Sequence, residues 1–151
     1  MTALGKFIAM SGLPRSGKST IAKKVYAPMG YTIVSPDDFR LTMFGQRWYG
    51  PGEPMLWAVI YATVDSLLQS GNRVILDATN LIADRRNPWV KRGAKFVVVD
   101  TPKEECIRRA KATNDDYILP VIERMAARYE PIEDWEDITI AAVHKWQSKE
   151  T

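Results

Sequence analysis

The stretch SGLPRSGKST, residues Ser11 to Thr20, has the pattern of a loop that binds phosphate groups. Glycines at positions 12 and 17 allow tight turns that point backbone amides inward, and the helix expected to follow adds positive potential at its N-terminus. The spacing places Lys18 at the β- and γ-phosphates of a nucleoside triphosphate and Ser19 at its Mg²⁺ ion. The residues predicted to bind ATP are Gly12, Pro14, Arg15, Ser16, Gly17, Lys18, Ser19 and Thr20.

The segments around this loop predict an α/β fold. Short β-branched or aromatic runs at 6–10, 31–35, 73–78 and 95–100 are bounded by polar or turn residues, as in strands buried on both faces. Helical patterns lie between and after them, at 18–26, 53–69, 83–91, 104–112 and 119–129. The alternation predicts a parallel sheet of four to five strands with helices on both faces. The tail from Asp137 to Thr151 fits either a fifth strand or a helix.

The composition is that of one globular domain spanning residues 1–151. Hydrophobic residues make up 46% and charged residues 26%, and the net charge is +3. Such weak basicity permits a polyanionic partner without requiring one. The single cysteine and single histidine exclude an intramolecular disulfide and argue against a zinc site. Because there is no apolar run of membrane-spanning length and no recognisable signal peptide, we expect a cytoplasmic protein without membrane contact.

A group of polar residues, in the sequence SPDDFR, follows the second predicted strand. Ligands of open α/β sheets gather at the carboxyl ends of the strands, so Asp37 and Asp38 are expected on the same edge as the phosphate loop. A carboxylate there could orient an acceptor hydroxyl and take its proton. Arg40 could bind a phosphate of the acceptor or fix the carboxylate. The structural alternative is that Ser35 or Asp37 caps a helix through 39–44.

A second carboxylate, Asp77, ends the third predicted strand in the sequence VILDATN. Phosphate-loop proteins carry a Mg²⁺-associated acid at this position, and Thr79 and Asn80 follow on the same edge. The structural alternative makes Asp77 a turn residue and Thr79 or Asn80 a cap of the next helix. Polar clusters at the ends of three successive strands favour the functional interpretation.

Two further segments have competing interpretations. The basic residues Arg108, Arg109 and Lys111 could belong to a lid over the transferring phosphate, but a solvated helix face is the commoner fate of such a run. Trp48, in the segment 44–57, could stack on a nucleobase, but we expect it to pack the long helix onto the sheet.

The chain resembles the kinase domain of phage and bacterial polynucleotide 5′-kinases. The resemblance is carried by five motifs in the order SGLPRSGKST, DDFR, DATNL, ECIRRAK and LPVIERMAARYEP. The resemblance implies a P-loop kinase fold, ATP with Mg²⁺, and the 5′ end of a nucleic acid as substrate. It also implies that Asp37 is the general base and that Arg109 belongs to a lid near residues 108–120. The predicted catalytic residues are Asp37, Lys18, Arg40 and Arg109, the metal ligands Ser19 and Asp77, and the acceptor-binding residues Asp38, Arg40, Thr79 and Asn80.

The chain departs from the family pattern at two positions. Arg15 stands in the loop where the family usually has glycine, and Thr113 stands where its lid usually has a second arginine. Arg108 or Lys111 could replace the missing lid cation, and we hypothesise that Arg15 compensates for it. The phosphatase domain often fused to phage polynucleotide kinases has no counterpart in these 151 residues, so we expect no phosphatase activity.

Three functions are compatible with these features. The first is a kinase that phosphorylates the 5′-hydroxyl of a polynucleotide, and the second is a kinase of the same scaffold for a nucleoside, a modified base or a small molecule. The third is a nucleotide-binding ATPase or switch module that acts through a partner. The sequence does not decide between RNA and DNA, nor does it give the oligomeric state.

Overall fold

A computed structural model, which describes residues 4–147, shows one sheet of five parallel strands. The strands lie in the order β2-β3-β1-β4-β5, so that the strand leading into the phosphate loop is central. Their bounds are β1 Phe7–Ser11, β2 Tyr31–Val34, β3 Arg73–Leu76, β4 Lys95–Asp100 and β5 Ile140–Lys145. The predicted α/β class with a parallel sheet is confirmed.

Six α-helices follow these strands in the described part of the chain. They are α1 Lys18–Ile21, α2 Pro36–Phe44, α3 Glu53–Gln69, α4 Ala83–Val90, α5 Lys103–Ala112 and α6 Leu119–Arg128. Helix α1 is short because the chain continues from it as a π turn at Ala22–Tyr26 and a 3₁₀ turn at Ala27–Met29. Further 3₁₀ turns lie at Gly50–Gly52, Asp116–Ile118 and Asp134–Glu136. None of the helices within residues 4–147 combines the length and apolarity needed to cross a bilayer.

The central strand is buried on both faces, as its continuous apolar run predicts. Phe7 and Ala9 belong to a core built with α3 and α4, whereas Ile8 and Met10 belong to a second core built with the α1 region. Alternate residues of a strand point to opposite faces, so helices on both sides are needed to bury them. A smaller apolar cluster joins α5 to α6 beside the start of the phosphate loop.

The tail forms a strand, which decides between its two alternatives. Strand β5 pairs in parallel with β4, and the register places Ala142 beside Val97 and Val143 beside Val98. Ala142 packs against the core on the α1 side of the sheet. The helical alternative is therefore wrong for residues 140–145, while residues 148–151 of the predicted tail lie outside the described residues.

The fold brings the candidate residues to one edge of the sheet. The phosphate loop follows β1, Ser35 follows β2, Asp77 follows β3 and Thr101 follows β4. Because all the strands are parallel, these four positions share the carboxyl edge, where ligands of open α/β sheets bind.

Candidate active site

Two glycines determine the shape of the phosphate loop. Gly17 has a φ of +102°, which side chains rarely tolerate, and a Cβ on Gly12 would lie only 2.8 Å from the carbonyl oxygen of Val99. Ser16, within the loop, is only 2% exposed, and its carbonyl accepts a 2.8 Å hydrogen bond from the Thr101 hydroxyl. The motif therefore adopts the tightly turned conformation that its glycines predict.

Lys18 is the buried cation of the loop. Its Nζ donates a 2.8 Å hydrogen bond to the carbonyl oxygen of Leu13. Burial lowers the pKa of Lys18, and the charges of Asp77 and Asp37 oppose this effect. Both carboxylates therefore act electrostatically on the same ammonium group, as expected if the phosphate loop and the two acids form one site.

Ser19 and Asp77 form a pair of oxygen groups at the start of α1. The Ser19 hydroxyl donates a 2.6 Å hydrogen bond to Oδ2 of Asp77, whose side chain stands at the end of β3. A hydroxyl and a carboxylate are hard donors of the kind Mg²⁺ prefers. Because residues 4–147 contain no group of three His, Cys, Asp or Glu side chains that could hold a metal, such an ion would depend on this pair and on phosphate oxygens. The residues present thus fit a magnesium ion bound together with a nucleotide.

On the acceptor side, separate residues cap the helix and present a carboxylate. Ser35 is the N-cap of α2, and its Oγ accepts a 3.3 Å hydrogen bond from the Asp38 amide. Asp37 is therefore not needed as the cap, and its side chain is 85% exposed. Both interpretations of SPDDFR apply at once, because the cap is Ser35 and the exposed carboxylate is Asp37.

Arg40 orients this carboxylate. It donates to Oδ1 of Asp37 at 2.7 Å and makes two 2.9 Å hydrogen bonds to Glu53 at the start of α3. Burial would lower the pKa of Arg40, but the hydrogen bonds and charges of Glu53 and Asp37 raise it overall. Of the two roles predicted for Arg40, the geometry favours fixing the carboxylate, because two carboxylates already neutralise the guanidinium.

Arg109 lies against the phosphate loop rather than in solvent. Its guanidinium donates to the carbonyl oxygen of Arg15 at 3.2 Å and to Oε1 of Glu105 at 3.1 Å. A Cβ on Gly17 would stand 3.4 Å from the same guanidinium, so Arg109 packs directly over this turn of the loop. The expectation of a solvated helix face holds for Arg108, whose side chain is 66% exposed, and is wrong for Arg109.

Arg15 reaches from the loop to the segment after α5. Its backbone has a φ of +67°, and its guanidinium donates to the Arg109 carbonyl at 3.0 Å and to the Thr113 hydroxyl at 2.7 Å. Asp115 lies 3.9 Å from the same guanidinium. A cation of the phosphate loop therefore contacts the residue at which the family pattern leads one to expect a lid arginine.

Asp115 is also bound from the acceptor side. Arg47 donates to both of its carboxylate oxygens, at 2.7 and 3.1 Å, and lies 4.6 Å from the centre of the Tyr117 ring. The hydrogen bonds from Arg47 lower the pKa of Asp115. The segment between α5 and α6 is thus tied both to the phosphate loop and to the loop before α3.

Trp48 differs from its expected packing role, since it is 54% exposed. The Phe44 side chain packs over Gly52 instead, so closely that a Cβ on Gly52 would overlap its ring. The indole of Trp48 lies outside this contact, 5.5 Å from the guanidinium of Arg40. An exposed aromatic ring therefore stands beside Arg40, the residue that also binds Asp37.

The structure places Asn80 beneath the phosphate loop, away from the expected acceptor contact. Its amide nitrogen donates to the carbonyl oxygen of Met10 at 2.7 Å, and the residue is 4% exposed. Thr79 accepts a 3.0 Å hydrogen bond from the Gly12 amide through its carbonyl oxygen. Both residues support the loop through these bonds.

Comparison with protein families identifies this architecture. The family model AAA_33, described as an AAA domain, matches residues 7–132. The chain belongs to this family. Comparison with curated proteins gave no match.

Solved structures give this AAA-domain protein the P-loop kinase fold. A chain of the Pnkp1/Rnl/Hen1 complex is 32% identical with a TM-score of 0.62; the match covers 72% of the present chain and 40% of the other. The gluconokinase from Sinorhizobium meliloti 1021 is 18% identical, with a TM-score of 0.65 and coverage of 95% and 85%. The APS kinase from Mycobacterium tuberculosis, solved with AMPPNP and APS, is 17% identical, with a TM-score of 0.61 and coverage of 95% and 90%. The predicted P-loop kinase fold is confirmed.

Sequence reasoning missed several carboxylates that pair with the arginines of the site in this AAA-domain protein. Glu105 could have been found, because it precedes Arg108 and Arg109 by three and four residues, the spacing of helical ion pairs. Glu53 and Asp115 contact arginines 13 and 68 residues away. No local pattern indicates such pairings, since tertiary packing alone brings these residues together.

Proposed function

We propose that this protein transfers the γ-phosphate of ATP to a hydroxyl group, and that the acceptor is the 5′-hydroxyl of a polynucleotide. The observation that carries the proposal is the Asp37 carboxylate. It is exposed to an incoming acceptor, held by Arg40 at 2.7 Å, and acts electrostatically on the loop lysine. An ATPase or switch module needs no such carboxylate on the acceptor side, which argues against the third function considered.

The nucleotide would be held by the phosphate loop. Lys18 and the amides at the N-terminus of α1 would bind the phosphates, and Ser19 and Asp77 would hold Mg²⁺. The ion would neutralise charge on the phosphate oxygens when it is bound. On nucleotide binding, Lys18 would exchange its hydrogen bond to the Leu13 carbonyl for hydrogen bonds to phosphate oxygens.

The acceptor chemistry would centre on Asp37. One of its carboxylate oxygens would accept the proton of the acceptor hydroxyl. The hydroxyl oxygen would form a bond to the γ-phosphorus as the bond between that phosphorus and ADP breaks. Arg40 would hold the carboxylate in place through its 2.7 Å hydrogen bond. Arg109 would neutralise charge on the transferring group, and the proposed lid, residues 108–120, would exclude water.

Two observations support a polynucleotide acceptor. The matched chain that is 32% identical belongs to a complex named for Pnkp1, Rnl and Hen1, and a related match is described as an RNA repair complex. The exposed ring of Trp48 stands beside Arg40, and aromatic faces bind nucleobases without requiring a particular sequence. The present chain spans only 40% of the first of these chains. The substrate of that longer protein is therefore not carried over, and the polynucleotide acceptor is proposed for this chain separately.

One observation favours a small-molecule acceptor without phosphate groups instead. Arg40 is already paired with Asp37 and Glu53, and Arg47 is paired with Asp115. Both guanidinium groups on the acceptor side are therefore already neutralised by carboxylates. A sugar-like hydroxyl needs no cation, and the gluconokinase shares the fold. This alternative assigns the same chemistry to Asp37 and differs only in the acceptor.

A panel of acceptors with γ-labelled ATP tests the proposal. We expect label at the 5′ end of hydroxyl-terminated RNA or DNA oligonucleotides, and at most slow labelling of nucleosides, gluconate and water. Oligonucleotides that already carry a 5′-phosphate serve as the matched control and should remain unlabelled. Preferential labelling of gluconate or nucleosides would support the alternative, and phosphate release to water alone would support an ATPase.

A further inference from the structure

A fully enclosed ion pair lies beneath the phosphate loop. Arg86 of α4 donates to both carboxylate oxygens of Glu136, at 2.7 and 2.8 Å, and neither side chain has any exposed surface. Replacing a buried pair of this kind by apolar residues is often neutral or stabilising, because both charges must be taken out of water. Stability alone therefore gives little reason for the pair.

The third hydrogen bond of Arg86 points to another role. Its guanidinium donates to the carbonyl oxygen of Asn80 at 3.1 Å. The same carbonyl accepts a 3.2 Å hydrogen bond from the hydroxyl of Ser11, the last residue of β1. Asn80 has a φ of +44°, an uncommon conformation for a residue other than glycine, so its orientation depends on such contacts.

The turn at residues 79–80 in turn holds the start of the phosphate loop. The Gly12 amide donates to the Thr79 carbonyl at 3.0 Å, and the Asn80 side chain donates to the Met10 carbonyl at 2.7 Å. Gly12 is the first glycine of the loop, and a Cβ at this position would lie 2.8 Å from the Val99 carbonyl oxygen. A continuous series of hydrogen bonds thus runs from Glu136 through Arg86 and Asn80 to the loop.

We propose that Arg86, held by Glu136, is a positioning residue that fixes the turn at 79–80 and through it the backbone of the phosphate loop. It contacts no substrate. A second contact joins the chain after α6 to the loop after β3: the Glu130 amide donates to the Leu81 carbonyl, and the Glu130 carboxylate accepts from the Ala83 amide. The loop after β3 is therefore held between the phosphate loop and the segment that follows the proposed lid.

The test replaces both partners so that no charge is left buried. We expect the variant Arg86→Met/Glu136→Leu to unfold at nearly the wild-type denaturant concentration. Its Kd for AMPPNP should nevertheless rise about tenfold or more, by analogy with the loss of outer partners of metal ligands. Hydrogen exchange at the Gly12 amide should also accelerate, which a merely space-filling pair would not cause.

A matched control is available just beyond the C-terminal end of the same helix, α4. Arg92 makes the same two-bond contact with Asp65, at 2.7 and 3.1 Å, without touching the phosphate loop. The variant Arg92→Met/Asp65→Leu should bind AMPPNP with the wild-type Kd. If the Arg86/Glu136 variant is folded and does the same, the proposal is overturned.

A second variant decides the question should the double variant fail to fold. Arg86→Lys keeps a cation beside Glu136 but lacks the planar fork that also reaches Asn80. We expect it to weaken AMPPNP binding, and a wild-type Kd would equally overturn the proposal. The inference rests on nucleotide binding by the loop and not on the acceptor, so failure of the acceptor panel would leave it untouched.

Discussion

Arg15 links the phosphate loop to the segment after α5 at the level of single residues. Its positive φ costs about 1–2 kcal/mol relative to glycine. Its side chain binds the Arg109 carbonyl and the Thr113 hydroxyl, and Arg109 binds the Arg15 carbonyl in return. Strain of this kind persists only where the surroundings impose it, which supports the hypothesis that Arg15 supplies the cation missing at Thr113.

Replacing Arg15 by glycine tests this hypothesis. We expect Arg15→Gly to relieve the backbone strain yet lower kcat about tenfold to a hundredfold, because losing a charge-assisted hydrogen bond costs about 1.5–3 kcal/mol. Lys111→Ala, which removes an exposed cation from α5, is the control and should retain kcat. Unchanged turnover in Arg15→Gly would count against compensation, and a loss confined to Lys111→Ala would assign the cation to that residue.

Asp77 is expected to control metal use. Its Oδ2 lies 2.6 Å from the Ser19 hydroxyl, so Asp77→Asn removes a charge from the proposed Mg²⁺ site without changing its shape. We predict that the Mg²⁺ concentration giving half-maximal transfer rises by at least about 10- to 100-fold, the loss that removing even an outer partner of a metal ligand causes. Asp84→Asn, at an exposed position of α4, should leave the magnesium titration unchanged.

At the scale of elements, Glu105 of α5 holds the two arginines at the start of the proposed lid, Arg108 and Arg109. Hydrogen bonds from Arg108 and Arg109 lower the pKa of Glu105 to about 2. A carboxyl group whose pKa is lower in the folded state stabilises the fold above its unfolded pKa, here about 4.5, and loses this effect as the pH falls toward 2. The contacts of α5 with the phosphate loop are therefore expected to persist in mild acid.

The pH dependence of stability checks the role of Glu105. In urea unfolding, the stability difference between the wild type and Glu105→Gln should be constant from pH 7 to about 5 and shrink as the pH falls toward 2. A difference that grows on acidification would contradict the ion-paired arrangement. Glu104→Gln, at an exposed position one residue earlier on α5, is the matched control.

Elements and their edge residues could be predicted from the sequence because their signals are local. Helix α3 begins and ends where its apolar stripe indicates, and Ser19, Asp37 and Asp77 follow from motifs at strand ends. The exposure of Trp48 could not be predicted, because it depends on Phe44 covering Gly52. Residues 140–145 form a strand because they pair with β4. Their sequence alone is compatible with a strand or a helix and does not reveal this pairing.

For the molecule as a whole, the balance of charge limits how an acceptor can bind. The net charge is +3, and acidic partners occupy Arg15, Arg40 and Arg47 around the site. A polynucleotide would thus be held by few phosphate contacts, with Trp48 contributing stacking. Such binding depends only weakly on ionic strength.

Salt dependence measures this property. If one or two phosphates are neutralised, the logarithm of KM for a single-stranded oligonucleotide should rise against the logarithm of salt concentration with a slope of about 0.7–1.4. A slope above about 3 would contradict the account, because it requires more free cations than the acceptor side offers. The KM for ATP, measured in the same salt series, shows how much of the salt effect comes from nucleotide binding and how much from acceptor binding.

The central claim is that Asp37 accepts the proton of the acceptor hydroxyl, and single-turnover transfer by Asp37→Asn tests it most directly. Asp134→Asn, at an exposed site in another segment, is the control. With γ-labelled ATP and a 5′-hydroxyl oligonucleotide, we predict that Asp37→Asn transfers about 10²- to 10⁴-fold more slowly while its Kd for AMPPNP is unchanged. Transfer by Asp37→Asn at the wild-type rate would contradict the claim.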